Sequence, residues 1–202
     1  NDEEEQTKIQ GHATSLRSLL NGRPPLRRLA KNPLLCAMIC ALYQERLQNL
    51  PNERLQLYEE CVEMLLTRRD EGRRVSTNYD YPPLTLSQRL ALLQDLSYWM
   101  IINGYSDVEV DLTDQRFERK LPALSLTDTS GEKVRRLFVD RTNLLREPVV
   151  GRIDFTHLTF QEYLAASEAV EEDSFGVLIK HAGNDTWREL IVLALGIARQ
   201  KE

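Results

Sequence analysis

The sequence predicts a mainly α-helical protein, a small helical bundle followed by more helices interrupted by one β-hairpin. Two observations carry that expectation. Apolar residues recur at helical spacing through most of the chain, as in Leu34, Leu35, Met38, Ile39, Leu42 and Tyr43. The clearest extended stretch is Leu144 to Phe155, two short runs folding back around Gly151.

Taken in order, the first ten residues are acidic and polar and read as a frayed start or the tail of a helix. Thr14 to Leu20 reads as a short helix ending at Asn21-Gly22, followed by a break at Pro24-Pro25. Asn32-Pro33 opens the next helix, because Asn is a good N-cap and Pro suits the first helical position. Pro51 and Asn52 open another, with the stripe Leu57, Tyr58, Cys61, Val62, Leu65 and Leu66. Arg73 to Pro83 has no period and contains Pro82-Pro83, so a linker and a domain boundary are expected there.

Past the linker, Thr85-Leu86-Ser87-Gln88 has the form of a capping box. The helix it starts carries Leu86, Leu90, Leu93, Leu96, Trp99 and Met100 and stops at Asn103-Gly104. Val108, Val110 and Leu112 alternate with acids, as in a short half-buried strand or extended segment. Short helices are expected over Asp114–Leu121, halted by Pro122, and over Ser130–Arg141, with Val134, Leu137 and Phe138 inward. The hairpin follows. Thr159-Phe160-Gln161-Glu162 looks like a further capping box, and a helix is expected to begin at or just after His157. After the break at Glu171-Glu172-Asp173, helices are expected from about Ser174 and from near Asp185. The order helix, short strand, helix, helix, hairpin is that of a winged helix. The expected organisation is a helical domain at 1–80, a winged-helix domain at 84–172 and the start of a second helical domain at 174–202.

Composition narrows the function. The 202 residues are 42% hydrophobic and 28% charged, the balance of a soluble globular protein. No apolar run approaches the ~20 residues of a membrane span. The acidic opening Asn1-Asp2-Glu3-Glu4-Glu5 is unlike a signal peptide, and the absence of an initial Met points to a piece of a longer protein. A net charge of −5 argues against broad binding to nucleic acid or anionic membranes. Cys36, Cys40 and Cys61 fall in helical patterns and read as reduced core thiols. Cys36 and Cys40, one turn apart, could offer two metal ligands, but no further Cys/His pair at useful spacing completes a site.

The most informative run is Asp154 to Ala166, with His157 just ahead of a helix whose N-terminus suits an anion such as phosphate. This run resembles the F-x-H-x-T-F-Q-E-Y-L-A-A signature in the winged-helix domain of NACHT-family signalling NTPases, the STAND class. Leu29 to Tyr43 is similar to that family's N-P-L-L-L-x-x-x-C-x-L-Y segment, and Leu57 to Arg69 to its L-Y-E-x-x-V-x-x-L-L-x-x-R helix. Asn143-Leu144-Leu145 occupies the family's G-L-L position, with Asn where Gly is common. The likeness spans roughly residues 25 to 195.

The resemblance implies a cytoplasmic regulatory module that senses ADP or ATP in signal transduction and innate immunity. It singles out His157 as the residue that contacts the β-phosphate of ADP, and Pro33 as the proline that packs on adenine. Each also has a plain reading, Pro33 as a helix opener and His157 as a satisfied polar group at a strand–helix junction. The chain has no G-x-x-x-x-G-K-[ST] loop and no apolar strand ending in paired acids, so no catalytic function of its own is expected. The implied partners are the NTPase core of the same protein and further copies in the active state; no membrane partner is expected, and the net charge of −5 argues against nucleic acid. The rival reading is a DNA-binding winged helix. It would use Lys133, Arg135, Arg136 and Arg141 on the helix before the hairpin, and Arg146 and Arg152 on the hairpin. The acids Glu132, Asp140, Glu147 and Asp154 interleaved among them argue for a solvated charged surface instead.

Overall fold

The computed structural model describes residues 2–45, 50–51, 53–72 and 81–201. These are mainly helical, with one three-stranded antiparallel sheet. They fall into two compact units, Asn1–Met64 and Leu65–Glu202.

The first unit begins with α1 (Asp2–Gly22), three times the length expected from Thr14–Leu20. No proline interrupts that stretch, and Gly11 sits in open space where it costs only its own flexibility. Pro24 and Pro25, expected as a break, are the first two residues of α2 (Pro24–Leu29). There a proline gives up no hydrogen bond, because those amides have no intrahelical acceptor. The α3 helix (Pro33–Glu45) opens as the sequence predicts. The Asn32 side-chain oxygen accepts from the amides of Leu34 and Leu35, at 2.9 and 3.3 Å. Its buried face is Leu35, Met38, Ile39, Leu42 and Tyr43. The α4 helix (Arg54–Gly72) buries Leu57, Tyr58, Cys61 and Val62, and the boundary between the units falls within it. Asn52 and positions 73–80 of the expected linker lie outside the described residues.

The second unit continues, after the end of α4, with residues 81–84, where the Leu84 amide donates to the Pro82 carbonyl at 2.9 Å. Thr85 then caps α5 (Leu86–Ile102) with both arms of a capping box. The Thr85 amide donates to Gln88 Oε1 at 2.9 Å, and the Gln88 amide donates to Thr85 Oγ1 at 3.3 Å. Gly104, at φ 70°, ends the helix as expected. The next stretch departs from the reading of Val108, Val110 and Leu112 as a strand. Only β1 (Val108–Glu109) is extended, and Val110 already starts α6 (Val110–Lys120). Thr113 Oγ1 donates to the Glu109 carbonyl at 3.0 Å, drawing the chain into a helical turn, and Leu112 is left exposed.

A 3-10 turn, Pro122–Leu124, leads to α7 (Gly131–Arg141), capped by Ser130. The hairpin is β2 (Leu145–Val149) and β3 (Arg152–Phe155), turning through Gly151 at φ 82°. The sheet order is β1-β3-β2, with Val108 opposite Ile153 and Leu145 opposite Phe155. The outer strand β2 carries Pro148 and a bulge between Arg146 and Val149. The chain ends in α8 (Leu158–Glu171), α9 (Phe175–Lys180), a 3-10 turn at Asp185–Trp187 and α10 (Arg188–Lys201).

The core of this unit centres on α8, which packs on α5 and α10. Leu164, Ala165, Ala166 and Ala169 of α8 are fully buried, and the three alanines let its neighbours approach closely. Leu92, Leu93, Leu96 and Met100 fill the α5 side. Phe117 and Phe138 meet as a tilted pair, centroids 5.6 Å apart, between α6 and α7.

Charged groups bind the same helices. Arg116 of α6 holds Asp95 of α5 in a two-pronged pair, 2.7 Å on each arm, and its guanidinium lies over the Trp99 ring. Lys120, one turn on, donates to Glu168 of α8 at 2.9 Å and lies 3.7 Å from Asp95 and 3.6 Å from Glu172. Burial pulls the Lys120 ammonium down, but its carboxylates together lift it above its ordinary range. Asp95 and Glu168 are buried, so loss of the cation strands charge in a poorly solvated place.

Gly131 marks the tightest backbone approach. A β-carbon there would lie 2.0 Å from the Asp114 carbonyl oxygen, so α7 meets α6 where only glycine fits. Arg135, one turn on, clamps Asp114 with arms of 2.7 and 3.2 Å.

Gly131→Ala should therefore cost about 1–3 kcal/mol or more in urea unfolding, the range of an overpacked site. Gly176→Ala in α9, where an added β-carbon would meet open space, should be neutral or stabilising by under about 1 kcal/mol. Lys120→Met should cost about 2 kcal/mol, below a fully buried pair because Lys120 is partly exposed and Arg116 still holds Asp95. Lys120→Met with Glu168→Gln should recover part of that loss, measured in the same way.

Candidate functional site

His157 lies where β3 gives way to α8, at the N-cap with φ −143° and ψ 124°. The helix therefore starts two residues before the expected box at Thr159. Thr159 sits inside the first turn, and the His157 side chain makes no cap hydrogen bond. Phe160 and Gln161 donate their amides to the His157 carbonyl, at 3.1 and 3.3 Å. The amides of Leu158 and Thr159 precede those bonds and belong to the positive end of the helix dipole.

The neighbours of His157 are fixed by the hairpin. The Thr156 amide donates to the Leu144 carbonyl at 2.9 Å, tying the start of α8 to the entry of β2. That entry depends on Asn143, which adopts φ 57° in the left-handed region. This explains an Asn at a position where the resembled family often has Gly, since both residues tolerate that conformation. Phe160 is fully buried, and its ring meets the imidazole edge-on at 6.3 Å. Leu158 beside it is 63% exposed.

Arg146, opposite Asp154 across the hairpin, donates to that carboxylate at 2.8 and 3.0 Å. Its charge reaches His157. Partial burial first, and then Arg146, hold the imidazole below its ordinary pKa. His157 is thus a neutral ring near neutral pH, with a cationic side chain close by and the start of a helix behind it. This arrangement favours an anion that accepts hydrogen bonds. Sequence reasoning placed Arg146 only on the rival DNA surface. The signal that could have drawn it to His157 is its cross-strand place opposite Asp154, three residues before the histidine.

Pro33 is the exposed first residue of α3 in the first unit, and His157 belongs to the second. Its local role is the plain one, opening a helix capped by Asn32.

The basic residues of the DNA reading are largely engaged within the protein. Arg135 is buried against Asp114, and Arg136 pairs with Glu132 at 2.8 Å. Arg141 lies over the Tyr81 ring, Arg146 holds Asp154, and Arg152 bonds Asp107. The cysteines differ from the expectation of three core thiols. Cys61 is buried, Cys36 partly so, and Cys40 is exposed, because α3 turns that side away from its apolar face. Burial, then nearby Glu60, pushes the Cys61 thiol up to about 12. No described helix is long and apolar enough to cross a membrane. The chain matches no protein-family model and no curated protein.

The lowered pKa of His157 has a defined sign. The unfolded chain takes up its proton near pH 6.5 and the folded chain only at lower pH. Acidification through that window therefore favours unfolding, and above it the histidine makes no contribution. An NMR titration should place the His157 midpoint below 6.5. Arg146→Gln should raise it without fully restoring it, because burial is the larger cause. A midpoint unmoved by that change would show that Arg146 does not act on the ring.

Proposed function

We propose that this chain is the regulatory part of a NACHT-class signalling NTPase. In this reading its second unit is a winged helix that senses bound nucleotide in a cytoplasmic protein. The observation that carries the reading is His157 at the start of α8, within a run that resembles that family's signature. Further support comes from the order α5, β1, α6, α7, β2, β3, and from a short first strand pairing with the second strand of the hairpin.

In this reading His157 donates to a phosphate oxygen of ADP held mainly by an NTPase core, with Pro33 against the adenine. The neutral imidazole suits that task, because one ring nitrogen carries a proton to give and the ligand supplies the charge. The contact holds the winged helix in a resting position. Exchange for ATP rearranges the phosphate end, releases the unit and lets copies assemble. One charge-assisted hydrogen bond of about 1.5–3 kcal/mol biases such a two-state equilibrium roughly ten- to a hundredfold. Turnover of ATP then belongs to the core, and this chain contributes nucleotide sensing alone. The DNA reading is disfavoured by the internal pairing of Arg135, Arg136, Arg146 and Arg152.

His157→Ala in the intact protein should weaken ADP binding about tenfold, or about 1.4 kcal/mol, and raise spontaneous assembly. Calorimetric ADP titration of the intact protein and thermal melts of the 202-residue chain test this together. Unchanged ADP affinity with a clearly lowered melting temperature would make His157 a structural residue and end the latch.

A further inference from the structure

Cys36 and Cys40 occupy positions i and i+4 of α3, so their side chains emerge one turn apart on the same flank. Cys40 is exposed and Cys36 is partly so, which sets them apart from buried Cys61. Cys40 also borders a cavity of about 170 Å³ between α1 and α3, lined by His12, Leu16 and Tyr43 among others, which gives small solutes a way in. Neither thiol serves the nucleotide reading.

The number of ligands decides what such a pair can hold. Among the described residues, no group of three or more His, Cys, Asp or Glu side chains is placed to hold a metal ion. That rules out a closed tetrahedral zinc site built from these side chains, since zinc takes four. A soft ion content with two sulfur ligands remains, and thiolates select monovalent copper. We propose that Cys36 and Cys40 form a two-coordinate thiolate site for Cu(I). Each thiol gives its proton to water, and each sulfur donates one electron pair to the ion. The copper keeps its oxidation state, so no oxidant or reductant is consumed. Side chains four positions apart on a helix have β-carbons about 5–6 Å apart, so rotation about the two side-chain torsions can bring the sulfurs to the span of a linear S–Cu–S unit.

The test is an anaerobic titration of the 202-residue chain with Cu(I) against a chromophoric Cu(I) chelator. The expected result is one ion per chain. Cys36→Ser and Cys40→Ser should each weaken binding by at least about a hundredfold, more than loss of a supporting outer contact costs. Cys61→Ser should leave copper binding unchanged, and the thermal melt of the metal-free Cys40→Ser chain should match the parent. If Cys36→Ser does not fold, Cys40→Ser carries the comparison, because its position is exposed. Three results would overturn the proposal: no copper withdrawn from the chelator, one equivalent still bound by the Cys40→Ser variant, or half an equivalent shared between two chains.

Discussion

The cluster around Lys120 is the constraint on which the second unit depends. Asp95, Arg116, Lys120, Glu168 and Glu172 come from three helices, and their partners are separated by 21 to 52 positions along the chain. Three carboxylates surround two cations, so the cluster keeps one excess negative charge. That excess lets Lys120 stay firmly charged despite partial burial, and it makes the arrangement intolerant of losing either cation. Apolar packing of α5 on α8 could accept several rotations of one helix about the other. The two-pronged bond from Arg116 to Asp95 and the reach of Lys120 to Glu168 accept few. The ions therefore contribute less to bulk stability than to choosing one arrangement of helices, and the hairpin and His157 hang from that arrangement at the start of α8.

A second clamp works by exclusion. At Gly131 the backbones of α6 and α7 touch so closely that no side chain fits, and Arg135 closes on Asp114 one turn later. This explains the fate of the basic helix. A charged face that looks available in sequence includes an arginine already engaged in holding its own neighbour.

Features fixed by residues three or four apart were legible in the sequence. The cap at Asn32, the box at Thr85 and Gln88, the stop at Asn103-Gly104 and the turn at Gly151 all formed as expected, because each is settled locally between side chain and backbone. Misreadings arose where two local patterns competed. Thr159 and Glu162 have the spacing of a cap, yet the chain leaves β3 already turning and places His157 there instead. Val108, Val110 and Leu112 alternate like a strand, but β3 offers pairing for two residues only, and Thr113 favours the helical turn. The ion cluster could not be read at all, since nothing local joins Asp95 to Lys120 or Lys120 to Glu168. Of the candidate site, the place of His157 was legible, while Arg146 emerged only once the hairpin register set it opposite Asp154.

The outer strand of the sheet has a consequence for how copies of this unit could meet. Pro148 lacks the amide that a neighbouring strand would need, and the bulge beside it twists the backbone away from a flat ladder. On the opposite side, β1 offers only two residues. The sheet is thus a poor template for runaway polymerisation by strand addition. Growth of any assembly would have to stop and start at side-chain surfaces, where affinity can be set residue by residue and reversed.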